Sequence, residues 1–138
     1  MSESVFTKVR KGELPGHLLY QDEVCFVILT IQPHHPGHLL VIPIEEVADW
    51  EDLSGKDWQH IAAVAQQFGR LIKKVYRPPK VGLSIVGFEI AHVHAHVFSL
   101  FEIADIDHDK ARPSDPKELE KAARMISEAI TEQDGISI

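Results

Sequence analysis

The sequence predicts a single α+β domain, and three patterns carry that expectation. Five short runs rich in apolar and β-branched residues read as strands. One long segment in the middle of the chain repeats apolar residues at helical spacing, and a second, amphipathic one lies near the C-terminus. At 138 residues the chain has the size of one ordinary domain, enough to bury roughly two thirds of the surface its unfolded form exposes. Hydrophobic residues make up 44% and charged residues 25%, the proportions of a folded globular chain, which argues against wholesale disorder. No repeat, low-complexity segment or linker divides the chain, so the elements must share one core.

Taken in order, Val5 to Lys11 forms a short helix or turn that stops at Gly12. His17 to Gln21 and Val24 to Ile31 read as strands joined through Asp22 and Glu23. Cys25 stands alone inside the second run and reads as a small buried hydrophobe rather than half of a disulfide. Pro36-Gly37 supplies a turn into a third strand, His38 to Ile42, closed by Pro43. From the N-cap Ser54, apolar residues from Ile61 to Val75 keep helical spacing until Arg77-Pro78-Pro79 breaks it. Lys80 to Val86 and Ala91 to Phe101 are the remaining strands, with Gly82 and Gly87 as bends or bulges. Asp115-Pro116-Lys117-Glu118 opens the last helix as N-cap, first-turn proline and following glutamate, and that helix ends near Asp134-Gly135.

The formal net charge of −7 and the lack of a basic cluster beyond Lys73, Lys74 and Arg77 argue against a nucleic-acid groove binder. The start of the chain has no apolar signal-peptide core, and nowhere do enough apolar residues run together to span a bilayer. The expectation is a cytoplasmic protein with neither a nucleic-acid nor a membrane partner.

Residues 91–100, AHVHAHVFSL, carry the chemistry. On a strand, His92, His94, His96 and Phe98 share one face while Val93, Ala95, Val97 and Ser99 share the other. Successive histidines then lie about 7 Å apart. Two positive charges at that separation repel by roughly 2.4 kcal/mol at an effective dielectric near 20. Such crowding holds at least one imidazole neutral, able to act as nucleophile or base, while a neighbour serves as acid or phosphate clamp. Phosphoryl transfer needs that combination.

A metal site is the rival reading, in which a His-x-His pair ligates one zinc and His38 or Glu89 arrives as a third ligand. His92 and His96 are about 13 Å apart along a regular strand, so all three cannot meet at one ion. The expectation is therefore no metal. Asp105, Asp107 and Asp109 begin like a calcium loop, but Lys110 stands where glycine is required and Pro116 where glutamate is, leaving a solvated acidic loop.

His92-Val93-His94-Ala95-His96-Val97-Phe98 resembles the signature of the histidine triad (HIT) family, three histidines alternating with hydrophobic residues. Val5 to Val9 with Gly12-Glu13-Leu14-Pro15, and Pro36-Gly37-His38 through Pro43, resemble further family hallmarks in the same order. The resemblance spans about residues 4–101, so residues 1–101 are read as the HIT domain, and residues 102–138 as an acidic loop and C-terminal helix packed on the same domain or on a dimer. It implies a HIT-like α+β fold whose five-stranded antiparallel sheet joins a second copy into a ten-stranded one. It also implies nucleotide hydrolase or transferase chemistry on nucleoside phosphoramidates or dinucleoside polyphosphates, through a nucleotidyl-histidine and without a required cofactor.

By the same resemblance, His94 is the nucleophile, held in one tautomer by a main-chain carbonyl. His96 contacts the phosphate, and His92 and His38 complete the polar surround. Val5, Phe6, Val9, Ile28 and Ile31 line a purine pocket, and the backbone of Gly87 and Glu89 approaches the phosphate. Thr30 stands where the family has an aspartate for the ribose, and Val81 and Gly87-Phe88-Glu89 stand where it has polar phosphate contacts, departures that resemble a bacterial branch. A nucleotide-binding protein with little catalysis and a metal-binding module remain the alternatives.

Overall fold

Five strands pair wholly antiparallel in the order β1-β2-β3-β5-β4. They are β1 Leu18–Gln21, β2 Cys25–Leu29, β3 Leu39–Pro43, β4 Lys80–Ile85 and β5 Ala95–Leu100. The computed structural model describes residues 3–132. Helices α1 Val5–Arg10, α2 Gly55–Tyr76 and α3 Pro116–Glu132 accompany the sheet. Among the described residues no helix is long and apolar enough to cross a membrane.

Every residue of β2 and β3 is buried, which explains why both are unbroken apolar runs rather than alternating ones. On one face, Val27, Val41 and Ala95 lie in register and pack with Ile61, Val64, Phe68, Leu71 and Ile72 of α2. On the other, Phe26, Ile28, Leu40 and Ile42 pack with Phe6 of α1. Burying one such side chain is worth roughly 1.5–3 kcal/mol.

Capping sets the helix bounds. Asp57 N donates to Ser54 Oγ at 3.0 Å to open α2. At its far end Arg77 turns left-handed at φ 52°, since a residue before proline is disfavoured in the helical region. Asp115 opens α3 by accepting from Lys117 N at 2.8 Å. Ala122, Ile126 and Ala129 then bury in the core that α2 shares, so this helix packs on its own chain. The expected helix end near Asp134-Gly135 lies outside the described residues.

Four expectations are corrected. The second strand stops at Leu29: Thr30 N still bonds the His38 carbonyl, but the Ile31 carbonyl accepts from Ser114 N of the C-terminal loop instead of from a strand. Ile31 is accordingly 61% exposed. The fifth strand starts at Ala95 rather than Ala91, since Val93 N is drawn to the Val47 carbonyl instead of to a strand. Gly82 makes no bulge. It pairs regularly with Phe98, and a Cβ there would sit 2.8 Å from the Phe98 ring, so the glycine exists to admit that ring.

The fourth concerns the acidic loop, which folds into two short 3-10 turns, Ile103–Ile106 and His108–Lys110. Asp105 is buried rather than solvated. It accepts from Phe101 N at 2.8 Å and Glu102 N at 3.1 Å and pairs with His35 at 3.2 Å. The backbone bond from Phe101 leads the causes that lower its pKa.

Candidate active site

Because β5 begins only at Ala95, the first two histidines of the triad lie in a loop, where they serve different purposes. His92 is fully buried. Its Nε2–H donates to the Pro43 carbonyl at the end of β3, 2.7 Å away. Its Nδ1 lies 2.6 Å from the Ser4 hydroxyl. Burial holds His92 below the usual imidazole pKa, so Nδ1 is an acceptor and Ser4 donates. The same Ser4 oxygen caps α1 by accepting from Thr7 N at 3.2 Å. His92 therefore ties α1 to the sheet, and α1 carries one wall of a cleft.

His94 sits at that wall, 9% exposed, with the Phe6 ring 4.8 Å away. Its Nδ1 is 2.8 Å from the His92 carbonyl. A carbonyl only accepts, so Nδ1 carries a proton, and Nε2 is the nitrogen that can present a lone pair.

His96, the triad member within β5, is flanked across the sheet by Leu40 and Ser84. Its Nδ1 faces His38 Nε2 at 2.8 Å. Burial first, and neighbouring imidazoles second, push His96 down to about 3 and His38 to about 2, so both are neutral at pH 7. One ring must donate. His38 Nδ1 is buried without a partner, and a bare lone pair there is less costly than an orphan N–H. His38 Nε2–H is therefore the donor, leaving His96 Nε2–H as a proton donor at the cleft. The repulsion expected among the triad is real, but desolvation is the larger cause.

His108, from the second 3-10 turn, stacks on His96 at 4.5 Å between centroids and 21° between planes. Its Nε2 lies 3.0 Å from Ser84 Oγ. His38 stacks in turn on Phe98 at 5.1 Å.

His38, His94, His96 and His108 line a cleft of about 630 Å³. Val5, Phe6, Val9 and Ile28 form its apolar wall, and Ile31, Thr30, Gly87 and Glu89 line it as well. Thr30 Oγ1 accepts from Gln32 N at 3.3 Å. Gly87 holds a positive φ of 77° that bends the chain there, and Phe88 projects from the lining, 96% exposed. His38, His94 and His96 all reach the cleft, whereas His92 lies behind them. Val81 points to the α2 core.

Sequence reasoning missed Ser4, Ser84 and His108. Ser4 had a signal, a hydroxyl residue immediately before a short helix. His108 had none beyond its place in an acidic loop.

A carbonyl-oriented imidazole and a second imidazole donor beside an apolar cleft can offer one bound molecule a nucleophile and a proton donor. The chain belongs to the histidine triad family: the HIT domain family model matches residues 11–103. It is 32% identical over 99 residues to an AP-4-A phosphorylase from Mycobacterium tuberculosis, a match covering 67% of this chain and 51% of that one. The chain thus spans about half the length of that relative. It is 29% identical over 108 residues to a purine nucleoside phosphoramidase from Escherichia coli, covering 69% of this chain and 85% of that one. Among solved structures it superposes on a zinc-bound histidine triad family protein from Mycobacterium smegmatis with a TM-score of 0.76 and 27% identity, covering 94% of each chain.

Proposed function

We propose that the protein is a cytoplasmic nucleotide hydrolase or transferase that acts on nucleoside phosphoramidates or dinucleoside polyphosphates through a nucleotidyl-His94 intermediate. The observation that carries this reading is the 2.8 Å contact of His94 Nδ1 with the His92 carbonyl, which leaves Nε2 as the free lone pair in the cleft. The relatives named as phosphorylase and phosphoramidase support the same chemistry.

In the reaction, the purine lies against Val5, Phe6, Val9, Ile28 and Ile31, with Thr30 beside the ribose. His94 Nε2 attacks the α-phosphorus as the bond to the amine or bridging oxygen breaks, and that group leaves with the electron pair, an amine taking up a proton from water as it departs. His96 Nε2–H donates to a phosphoryl oxygen on which charge accumulates. The backbone N–H groups of Gly87 and Glu89 take the place of side-chain donors. Water then attacks the phosphorus, breaking the N–P bond and releasing the nucleoside monophosphate. His92 and His38 position the two working rings, and the scheme calls for no resident cofactor. A homodimer joined into a ten-stranded sheet is part of the proposal, and light scattering tests it.

Turnover of adenosine phosphoramidate and of diadenosine polyphosphate, with wild type and His94→Ala, is the test. The expected result is hydrolysis of at least one substrate, lowered at least about a thousandfold by the substitution. Phe88, exposed where a polar phosphate contact is expected, favours a second reading in which the cleft binds nucleotide with little catalysis. Binding without turnover supports that reading, and failure of both binding and turnover sinks the two together.

A further inference from the structure

Among the described residues, two clusters bring metal-ligating side chains together, Asp22 with Cys25 and His60, and His38 with His96 and His108. They differ in what they lack. Asp22 already accepts from Val24 N, Cys25 N, the Tyr20 hydroxyl and His60 Nε2, all at 2.7–2.9 Å, so that cluster is closed by its own hydrogen bonds. In the imidazole cluster, Nδ1 of His38 and Nδ1 of His108 are buried with no partner. The His108 nitrogen is the open one, and a buried ring nitrogen without a partner points to a missing ligand; the His38 group that faces the cluster is Nε2.

We propose that His38, His96 and His108 form a binding site for one divalent transition-metal ion of the zinc type. One nitrogen from each ring lies within 4.8 Å of the other two, and the closest pair, His38 Nε2 and His96 Nδ1, is 2.8 Å apart. Nitrogens at the corners of a tetrahedron with bonds of about 2.05 Å are about 3.3 Å apart, so ligation widens the His38–His96 pair and turns the His108 ring out of its stack on His96. Imidazole ligands select zinc, cobalt, nickel or copper over magnesium and calcium, which require oxygen. Asp107 and Asp109 flank His108 in sequence, and Asp109 lines the same cleft, which favours a cation there.

Three protein ligands leave the fourth position for water or a substrate oxygen. Ligation through the facing nitrogens moves the His38 proton from Nε2 to Nδ1, where it is buried without a partner, a cost that the metal–nitrogen bonds must exceed. The ion and the His38–His96 hydrogen bond therefore exclude one another, and the bond belongs to the ion-free form. The sequence places His108 more than ten residues from any other member, so this set, unlike one built on His92 and His94, has no spacing signature. It does not depend on the nucleotide reading, because no step in its recognition involves a nucleotide.

The full chain, stripped with chelator, is dialysed against zinc or cobalt and measured without nucleotide. The expected result is one ion per chain, visible cobalt bands of a nitrogen-ligated tetrahedral site, and no thiolate charge-transfer band. Imidazole nitrogen spectra of the wild type should show His38, His96 and His108 shifting on zinc addition, with His38 changing tautomer and His60 still. His108→Ala should weaken zinc at least about tenfold, and Cys25→Ser should leave it unchanged. A thiolate band, a shift at His60 in place of the three, unchanged affinity in His108→Ala, or no binding at micromolar zinc each overturns the proposal. Nucleotide turnover can survive every one of those outcomes.

Discussion

Replacing Ser4 with alanine removes a single hydroxyl that supports the site from beneath. That oxygen caps α1 through Thr7 N, and its proton satisfies His92 Nδ1 at 2.6 Å. Losing the cap costs about 1 kcal/mol. Leaving a buried acceptor unpaired costs about 1–3 kcal/mol more. The sum is about 2–4 kcal/mol, which at an m-value of about 2 kcal/mol per molar lowers the urea midpoint by roughly 1–2 M. The loss should depend on pH. The nearest group left to His92 Nδ1 is the Glu46 carboxylate at 3.8 Å, whose own pKa is lowered by hydrogen bonding from the Ser4 backbone. Protonating His92 in the variant creates an ion pair, so its folded-state pKa rises above that of the wild type while the unfolded value is unchanged. The deficit is thus greatest above about pH 6.5 and narrows as pH falls toward about 5. Urea titrations of both proteins across that window read it directly. A deficit below about 0.5 kcal/mol, or one that widens on acidification, refutes the role given to Ser4.

Other consequences are open to the same kind of measurement. Gly82→Ala puts a Cβ 2.8 Å from the Phe98 ring, and destabilisation by about 1–3 kcal/mol is expected in chemical denaturation. Phe6→Ala empties the space between α1 and the sheet beside His94, costing about 3–5 kcal/mol of stability and weakening nucleotide binding in a fluorescence titration. Burial depresses His96 to about 3 and His38 to about 2, so between those values and about 6.5 the unfolded chain binds protons that the folded one refuses. Their contribution is complete above about pH 6.5 and is lost progressively with acidification toward those values, as calorimetry at stepped pH should show. His38→Leu removes the donor that fixes the His96 tautomer and should lower kcat by up to about a hundredfold, with His38→Gln restoring part of it.

Much of this architecture is written locally. Ser54 and Arg77-Pro78-Pro79 bracket a helix whose apolar period is unambiguous, and Asp115 opens α3 just as its neighbours require. The buried runs of β2 and β3 need no partner to be recognised. What is not written locally depends on groups far apart in the chain. Alternating histidines from His92 look like strand, yet Val93 N bonds to Val47 and His92 Nε2 to Pro43, so the pairing begins only at Ala95. Ser4 and His92 are separated by 88 positions, and His108 meets His96 only because a loop folds back across β4 and β5. Gly82 reads as a bend until the Phe98 ring is seen above it. The three histidines of the motif were legible as a set, but their division into anchor, lone-pair carrier and donor depends on the three acceptors and donors that surround them.

The central claim is that His94 Nε2 forms a bond to phosphorus. A single-turnover incubation with adenosine phosphoramidate, quenched in alkali to preserve the phosphorus–nitrogen bond and followed by peptide mass mapping, tests it. An adenylyl group is expected on the peptide bearing His94 and none in His94→Ala. Product formed with no adduct at any time point, or an adduct on His96 or His108 instead, contradicts it.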